Sequence, residues 1–214
     1  MSFLGIDFFQ RDVCEVAQGL LGVELVWGGC SGIIVETEAY AAEGDPACHV
    51  ATRAAAREFI RTHAPGAAYV YLNYGMYWLL NFLVKGGARD GMVLIRALEP
   101  ASGIARMRER RRGRPREEWC SGPGKLGRAL GLTGADHGRI LSGTGRTPGY
   151  GFRPSKERTA LPVRVDVRVG ITKAVDFPWR YLVDEPVRGN ACAGATRQLQ
   201  GVCSPGDQPA RLGT

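Results

Sequence analysis

The stretch AYVYLNYGMYWLLNFLV, residues 68–84, constrains the fold more than any other part of the chain. Aromatic and branched side chains of this kind suit a pleated, half-buried surface. Tyr69, Tyr71 and Asn73 alternate with Val70 and Leu72, the period of a strand. Tyr74-Gly75 then reads as a tight turn into a second apolar run. The result is a β-hairpin with the Tyr74 ring exposed at the bend, while Tyr69 and Tyr77 read as core.

Other segments extend this start into a sheet. VELVW, a Gly28-Gly29 pair and IIVETEAY form a second hairpin pattern. GMVLIRALEP reads as a strand ending at Pro100, and VRVDVRVGI as a late strand. Helices are predicted over RDVCEVAQGLLG, with Asp12 as cap and Glu15 three residues on, and over SGIARMRERRRG, capped by Ser102. A short helix follows CSGPG, and the Ala/Arg-rich part of residues 41–66 suits another. Strands and helices alternate without a βαβ rhythm, which favours α+β. The expected fold is a single domain with a curved, mainly antiparallel sheet flanked by helices and a protruding β-hairpin. It would occupy residues 1–190, with a loop over 143–154 and a loosely structured tail over 191–214.

Composition narrows the function classes. A hydrophobic content of 44% with 23% charge excludes a disordered chain. No apolar run approaches the roughly 20 residues of a membrane span, and MSFLGIDFFQ is unlike a secretion signal. A cytoplasmic location without membrane partners is expected, on the nucleoid if the source is bacterial. The six cysteines (14, 30, 48, 120, 192 and 203) form no C-x-x-C pair, so reduced thiols are expected rather than disulfides or zinc. No metal and no cofactor are called for. Of the 28 basic residues 24 are arginine, and the net charge is +7. Arginine forks suit phosphate, but a GC-rich genome would give the same bias, so charge alone leaves a nucleic-acid partner open. Seven arginines between Arg106 and Arg116 equally suit a solvated helix face.

The IIVETEAY strand carries the chemistry. Positions two apart point to one face, so Glu36, Glu38 and Tyr40 project together. A carboxylate against an apolar wall can serve as a general base. Two residues of strand also span about 6.6 to 6.8 Å, the lower edge of the carboxylate spacing in inverting glycoside hydrolases. The same two glutamates would also suit ion pairs with arginine, and the spacing does not decide between these. Tyr40, Tyr71 and Tyr74, with His49, lie near strand ends that can share a sheet, and stacking on a base requires such faces.

VETEAY, D-P-x-x-H at 45–49, AYVYLNYGMYWLLN, VLIRALEP, CSGPGKL and RVGI occur in one order that resembles the alkyladenine (3-methyladenine) DNA glycosylases, over roughly residues 8–190. The resemblance implies a monofunctional enzyme of base excision repair. Such an enzyme flips an alkylated or deaminated purine out of double-stranded DNA and hydrolyses its N-glycosidic bond, leaving an abasic site. By residue matching, Glu38 looks like the base that activates water, with Arg96 and the carbonyl of Val169 helping to hold that water. Tyr40, His49 and Tyr71 correspond to the walls of the lesion pocket. Asn81 matches a residue that excludes normal purines, and Tyr74 matches the wedge that fills the flipped nucleotide's place. Glu36 would support an arginine, and Lys125 at the helix after CSGPG is assigned a phosphate contact. A monomer suits reading one lesion.

One segment departs from the family pattern. An Arg-Gly-x-Thr-x-Arg-Asn run is usual between the histidine and the hairpin, whereas this chain has VATRAAAREFIRTHAPG, with Arg53 and Arg57 as its basic residues. No lysine stands out as a pocket nucleophile, so strand cleavage through a Schiff base is not expected. Two other readings share the features: a binding module without catalysis, and a glycosidase for free nucleosides or sugars. An intact Glu38 and Arg96 disfavour the first; a wedge and an Arg-rich helix disfavour the second.

Overall fold

The computed structural model describes residues 3–143, 146–154 and 162–184. The tail expected at 191–214, with Cys192 and Cys203, lies outside the described residues. Among the described residues eight strands form one curved antiparallel sheet: β1 (Glu24–Trp27), β2 (Cys30–Ala41), β3 (Ala68–Asn73), β4 (Tyr77–Val84), β5 (Gly91–Ser102), β6 (Tyr150–Arg153), β7 (Val163–Asp166) and β8 (Arg180–Val183). The main order is β3-β4-β5-β2-β1-β6, and β7 joins through β8. Among the described residues five α-helices accompany the sheet: α1 (Val13–Gly19), α2 (His49–Thr52), α3 (Ala54–Thr62), α4 (Ile104–Arg110) and α5 (Pro123–Leu130). The α+β expectation is met.

The long strand β2 organises the sheet. β5 runs along one of its edges throughout, while β1 and then β8 follow one another along the other. One side of the sheet carries α1, whose Val13, Val16 and Ala17 are fully buried. Asp12 starts that helix by accepting the Cys14 N–H at 2.9 Å, as predicted. Phe9, Phe82 and Phe152 pack edge-on and tilted in the same core, with centroids 5.0 and 4.6 Å apart. Each such contact adds about 0.5–1.5 kcal/mol beyond area burial. On the other side a smaller cluster joins Ala56 and Phe59 of α3 to Tyr69, Leu83 and Met92. Gly127 of α5 lets that helix touch the hairpin, because a Cβ there would lie 2.2 Å from the Trp78 carbonyl oxygen.

Several predicted boundaries shift for identifiable reasons. β5 runs two residues past Pro100, which sits opposite Gly32 beside a bulge that tolerates its missing N–H. Ser102 therefore ends a strand instead of capping a helix; its Oγ lies 2.7 Å from Ser31 Oγ, and Gly103 caps α4. Residues 150–153 form β6 inside the expected loop, because Phe152 is fully buried against β1. The alternation of VRVDVRVGI continues past Asp166, but the strand does not. Arg168 turns into the interior, with only 4% of its surface exposed, and draws the chain across the sheet edge. Tyr77, expected in the core, is 45% exposed and lies against Gly124 at the start of α5.

Candidate active site

Glu38 points from β2 into the protein and has no exposed surface. Three donors from three segments hold it. The Tyr40 hydroxyl donates to Oε2 at 2.7 Å, the Val169 N–H donates to Oε1 at 2.8 Å, and Arg96 Nη1 of β5 lies 3.2 Å from Oε1. An ionised carboxyl group offers about four acceptor positions, so protein donors fill three. Without such partners, burying the charge would cost several kcal/mol.

A ladder of alternating charge continues from this group. Arg96 Nε donates to Glu36 Oε1 at 2.9 Å, and the same oxygen accepts from Arg180 Nη1 at 3.1 Å. Arg180 goes on to Asp166 at 2.6 Å. Burial opposes the charge on Arg96, yet Glu38 and Glu36 outweigh it and raise the guanidinium pKa. The ion-pair reading of the two glutamates holds for both: Glu36 pairs with Arg96 and Arg180, and Glu38 with Arg96. β8, which carries Arg180, had no counterpart in the sequence reading.

A second ion pair fastens the loops that close the site. The side chains of Arg168 and Asp45 are both fully buried, and they pair through two hydrogen bonds. Arg168 also donates to the Ala39 carbonyl at 3.0 Å, and its guanidinium lies 4.6 Å from the Tyr40 ring centre. The loop after β2 is thereby tied to the segment bearing Val169. Asp45 and Arg168 stand in the D-P-x-x-H and RVGI motifs, whose sequence pattern assigns them no role. Two oppositely charged residues 123 positions apart carry no periodic signal that would pair them.

Above Glu38 opens a cleft of about 550 Å³, within the usual range of small-molecule pockets. Tyr40, His49, Tyr71, Asn81, Arg96 and Val169 all line it. The His49 and Tyr71 ring centres are 4.4 Å apart at 66°. Burial, helped by Arg53, lowers the His49 pKa to about 4, so its imidazole is neutral at pH 7. Burial likewise pushes the Tyr71 phenol up to about 12, and burial together with Glu38 pushes Tyr40 upward. Both walls are therefore neutral phenols. Asn81 Nδ2 donates to the Tyr69 carbonyl at 3.2 Å, fixing its amide at the cleft wall. Arg53, from the divergent segment, stands 5.5 Å from the Tyr71 ring centre.

Tyr74 occupies the hairpin tip with φ +50° and is 83% exposed. Two placements go beyond the sequence reading. Val169 meets Glu38 through its N–H, a contact additional to the carbonyl role that the family match assigns. Lys173 lines the cleft, although no pocket lysine was anticipated. Lys125 lies outside the cleft, in a neighbouring groove beyond Tyr74, with Nζ 3.2 Å from Ser121 Oγ. Among the described residues no group of three His, Cys, Asp or Glu could hold a metal ion, and no helix is long and apolar enough to cross a membrane.

The methylpurine-DNA glycosylase family model matches residues 7–186. A relative from Rhodopseudomonas palustris is 44% identical over 174 residues, 81% of each chain. One from Bradyrhizobium diazoefficiens is 43% identical, covering 81% of this chain and 84% of the relative. One from Rhizobium meliloti is 43% identical, covering 82% and 90%. All three bear the provisional name 3-methyladenine DNA glycosylase. A match that spans the whole sheet, from the helix before β1 to β8, places this chain in the methylpurine-DNA glycosylase family, as a DNA-repair hydrolase of N-glycosyl bonds that acts on alkylated bases.

Proposed function

We propose that the cleft receives a single alkylated or deaminated purine nucleotide rotated out of duplex DNA, and that Glu38 directs a water molecule at its anomeric carbon. The observation that carries this reading is the placement of Glu38: buried and gripped on three sides by Tyr40, Arg96 and Val169, all of which line a cleft walled by tyrosines and a neutral histidine. The fourth acceptor position takes a proton of the water. As the base departs, the sugar gains oxocarbenium character, which a fixed anion stabilises. A purine alkylated at N3 or N7 already carries positive charge and leaves without a strong acid, so for these lesions the second carboxylate of a sugar hydrolase has no necessary task.

The tyrosine faces stack on the extruded base, and the Asn81 amide tests its edge. Tyr74 fills the space left in the duplex. Damaged pairs cost less to open, which contributes to selection. The protein acts as a monomer, in the cytoplasm, on chromosomal DNA.

The test is Glu38→Gln assayed with oligonucleotide duplexes, each carrying one lesion, followed by alkali cleavage of abasic sites. Base release under single-turnover conditions should vanish while lesion-duplex binding persists. Release at the parent rate would remove Glu38 from the mechanism.

A further inference from the structure

A second cleft, of about 730 Å³, lies on the other flank of the β3–β4 hairpin. It shares Asn73, Tyr74, Leu79 and Pro123 with the first, so the exposed Tyr74 ring stands on the ridge between them. Their linings differ in charge. The second carries six cations, five of them arginine, against the single carboxylate of Glu118. Four of the six are engaged within the protein. Arg110 donates to the Ala129 carbonyl, Arg111 to the Glu118 carbonyl, Arg112 pairs with Glu109, and Lys125 reaches Ser121. Arg114 and Arg128 are exposed and have no side-chain partner among the described residues. Two unpaired forks in a groove whose cations outnumber its carboxylate form an anion-binding track.

We propose that this groove holds the phosphate backbone of the undamaged strand. The inference rests on the proposed wedge role of Tyr74. Either groove of a duplex is walled by two phosphate backbones, about 6 Å apart in the minor groove and about 12 Å in the major. A hairpin entering a groove therefore has one backbone on each flank. The flank containing Glu38 takes the extruded nucleotide and with it the damaged strand. The opposite flank faces the other backbone, and there the molecule presents Arg114 and Arg128. The arginine run that the sequence left between a solvated face and a phosphate contact thus acquires a specific partner. The two strands are read by different chemistry: aromatic walls for the lesion, guanidinium forks for its complement.

The test compares lesion duplexes bearing neutral methylphosphonate links in either the damaged or the undamaged strand, with the parent protein and an Arg114→Ala/Arg128→Ala variant. The parent should lose affinity when either strand is neutralised. The variant should bind the unmodified duplex roughly 10- to 60-fold more weakly in 0.1 M salt, with a log-log salt slope shallower by about 2. It should also become indifferent, within about twofold, to neutralisation of the undamaged strand while remaining sensitive in the damaged one. A variant that loses sensitivity in the damaged strand, or a parent that ignores the undamaged one, overturns the assignment. Single-turnover base release at saturating protein is measured alongside. Loss of release in the parent would sink the glycosylase mechanism without touching the strand assignment.

Discussion

Removing Asp45 should loosen the candidate active site from a distance. Asp45→Ala leaves the Arg168 guanidinium buried with only the Ala39 and Ala174 carbonyls as acceptors. Breaking a buried pair from one side typically costs about 3–5 kcal/mol. At about 2–4 °C per kcal/mol for a chain of this size, the melting temperature should fall by about 6–20 °C. Arg168→Met removes the cation but keeps much of the apolar stem that packs near Tyr40 and Trp179. The double variant should then be less damaged than the sum of the singles, with a coupling of about 2–3 kcal/mol. Catalysis should follow. Arg168 precedes Val169, whose N–H is one of three donors on Glu38, so each single variant should lower the rate of base release at temperatures where it stays folded. Urea titrations of the four proteins, with single-turnover release at 20 °C, provide the assay. Additive single effects would show that Asp45 and Arg168 do not act as a pair. A normal rate in a destabilised Asp45→Ala would show that the clamp does not position the carboxylate.

Tyr74→Ala should weaken extrusion by the ~1–3 kcal/mol of one stacked aromatic, seen as reduced emission change from a fluorescent base analogue; a full change would contradict the wedge. The depressed His49 pKa implies pH-dependent stability. Below the ordinary value near 6.5 the unfolded chain takes up a proton that the folded one refuses, so stability should fall as pH drops from there to about 4. Denaturant midpoints across that window should flatten in His49→Gln, and an unchanged profile would deny the shift. Lys173 reaches the cleft but is solvent-exposed. Borohydride treatment during turnover should therefore trap no protein–DNA adduct, and an adduct lost in Lys173→Ala would establish a lyase step.

The hairpin and the strand β2 were legible because each repeats a local rule. Alternating tyrosines and a Tyr-Gly bend give β3 and β4 directly, and a two-residue period brings Glu36, Glu38 and Tyr40 to one side. What escaped was set by long-range partners. β8 pairs with β2 across some 144 residues, and its RYLV core is too short to announce itself. β7 ends at Asp166 because Arg168 finds Asp45, which alternation along VRVDVRVGI cannot reveal. Tyr77 ends half-exposed against Gly124 at the start of α5, a packing decided by where that helix docks, which Gly127 permits. The divergent segment after His49 still folds as helix, and it brings Arg53 to Tyr71 from a position the family pattern did not assign.

The second glutamate remains the most informative residue to perturb. Arg96 is shared between Glu36 and Glu38, so each carboxylate receives only part of its charge. Glu36→Gln keeps an acceptor oxygen for Arg96 and Arg180 while deleting one negative charge about 6.7 Å away along the strand. At an effective dielectric of about 20 the deleted repulsion is worth up to about 2.5 kcal/mol, which the nearby Arg180 reduces. With Glu36 neutral, Arg96 serves Glu38 alone, and a carboxylate held more firmly is a weaker base. The single-turnover rate of base release should therefore drop while lesion-duplex binding persists. A structural role alone would lower stability and leave the rate of the folded enzyme in place. A Glu36→Gln enzyme with an unchanged rate at temperatures where it stays folded would therefore show that the strand carries one functional acid and one ordinary ion pair, with no electrical link between them.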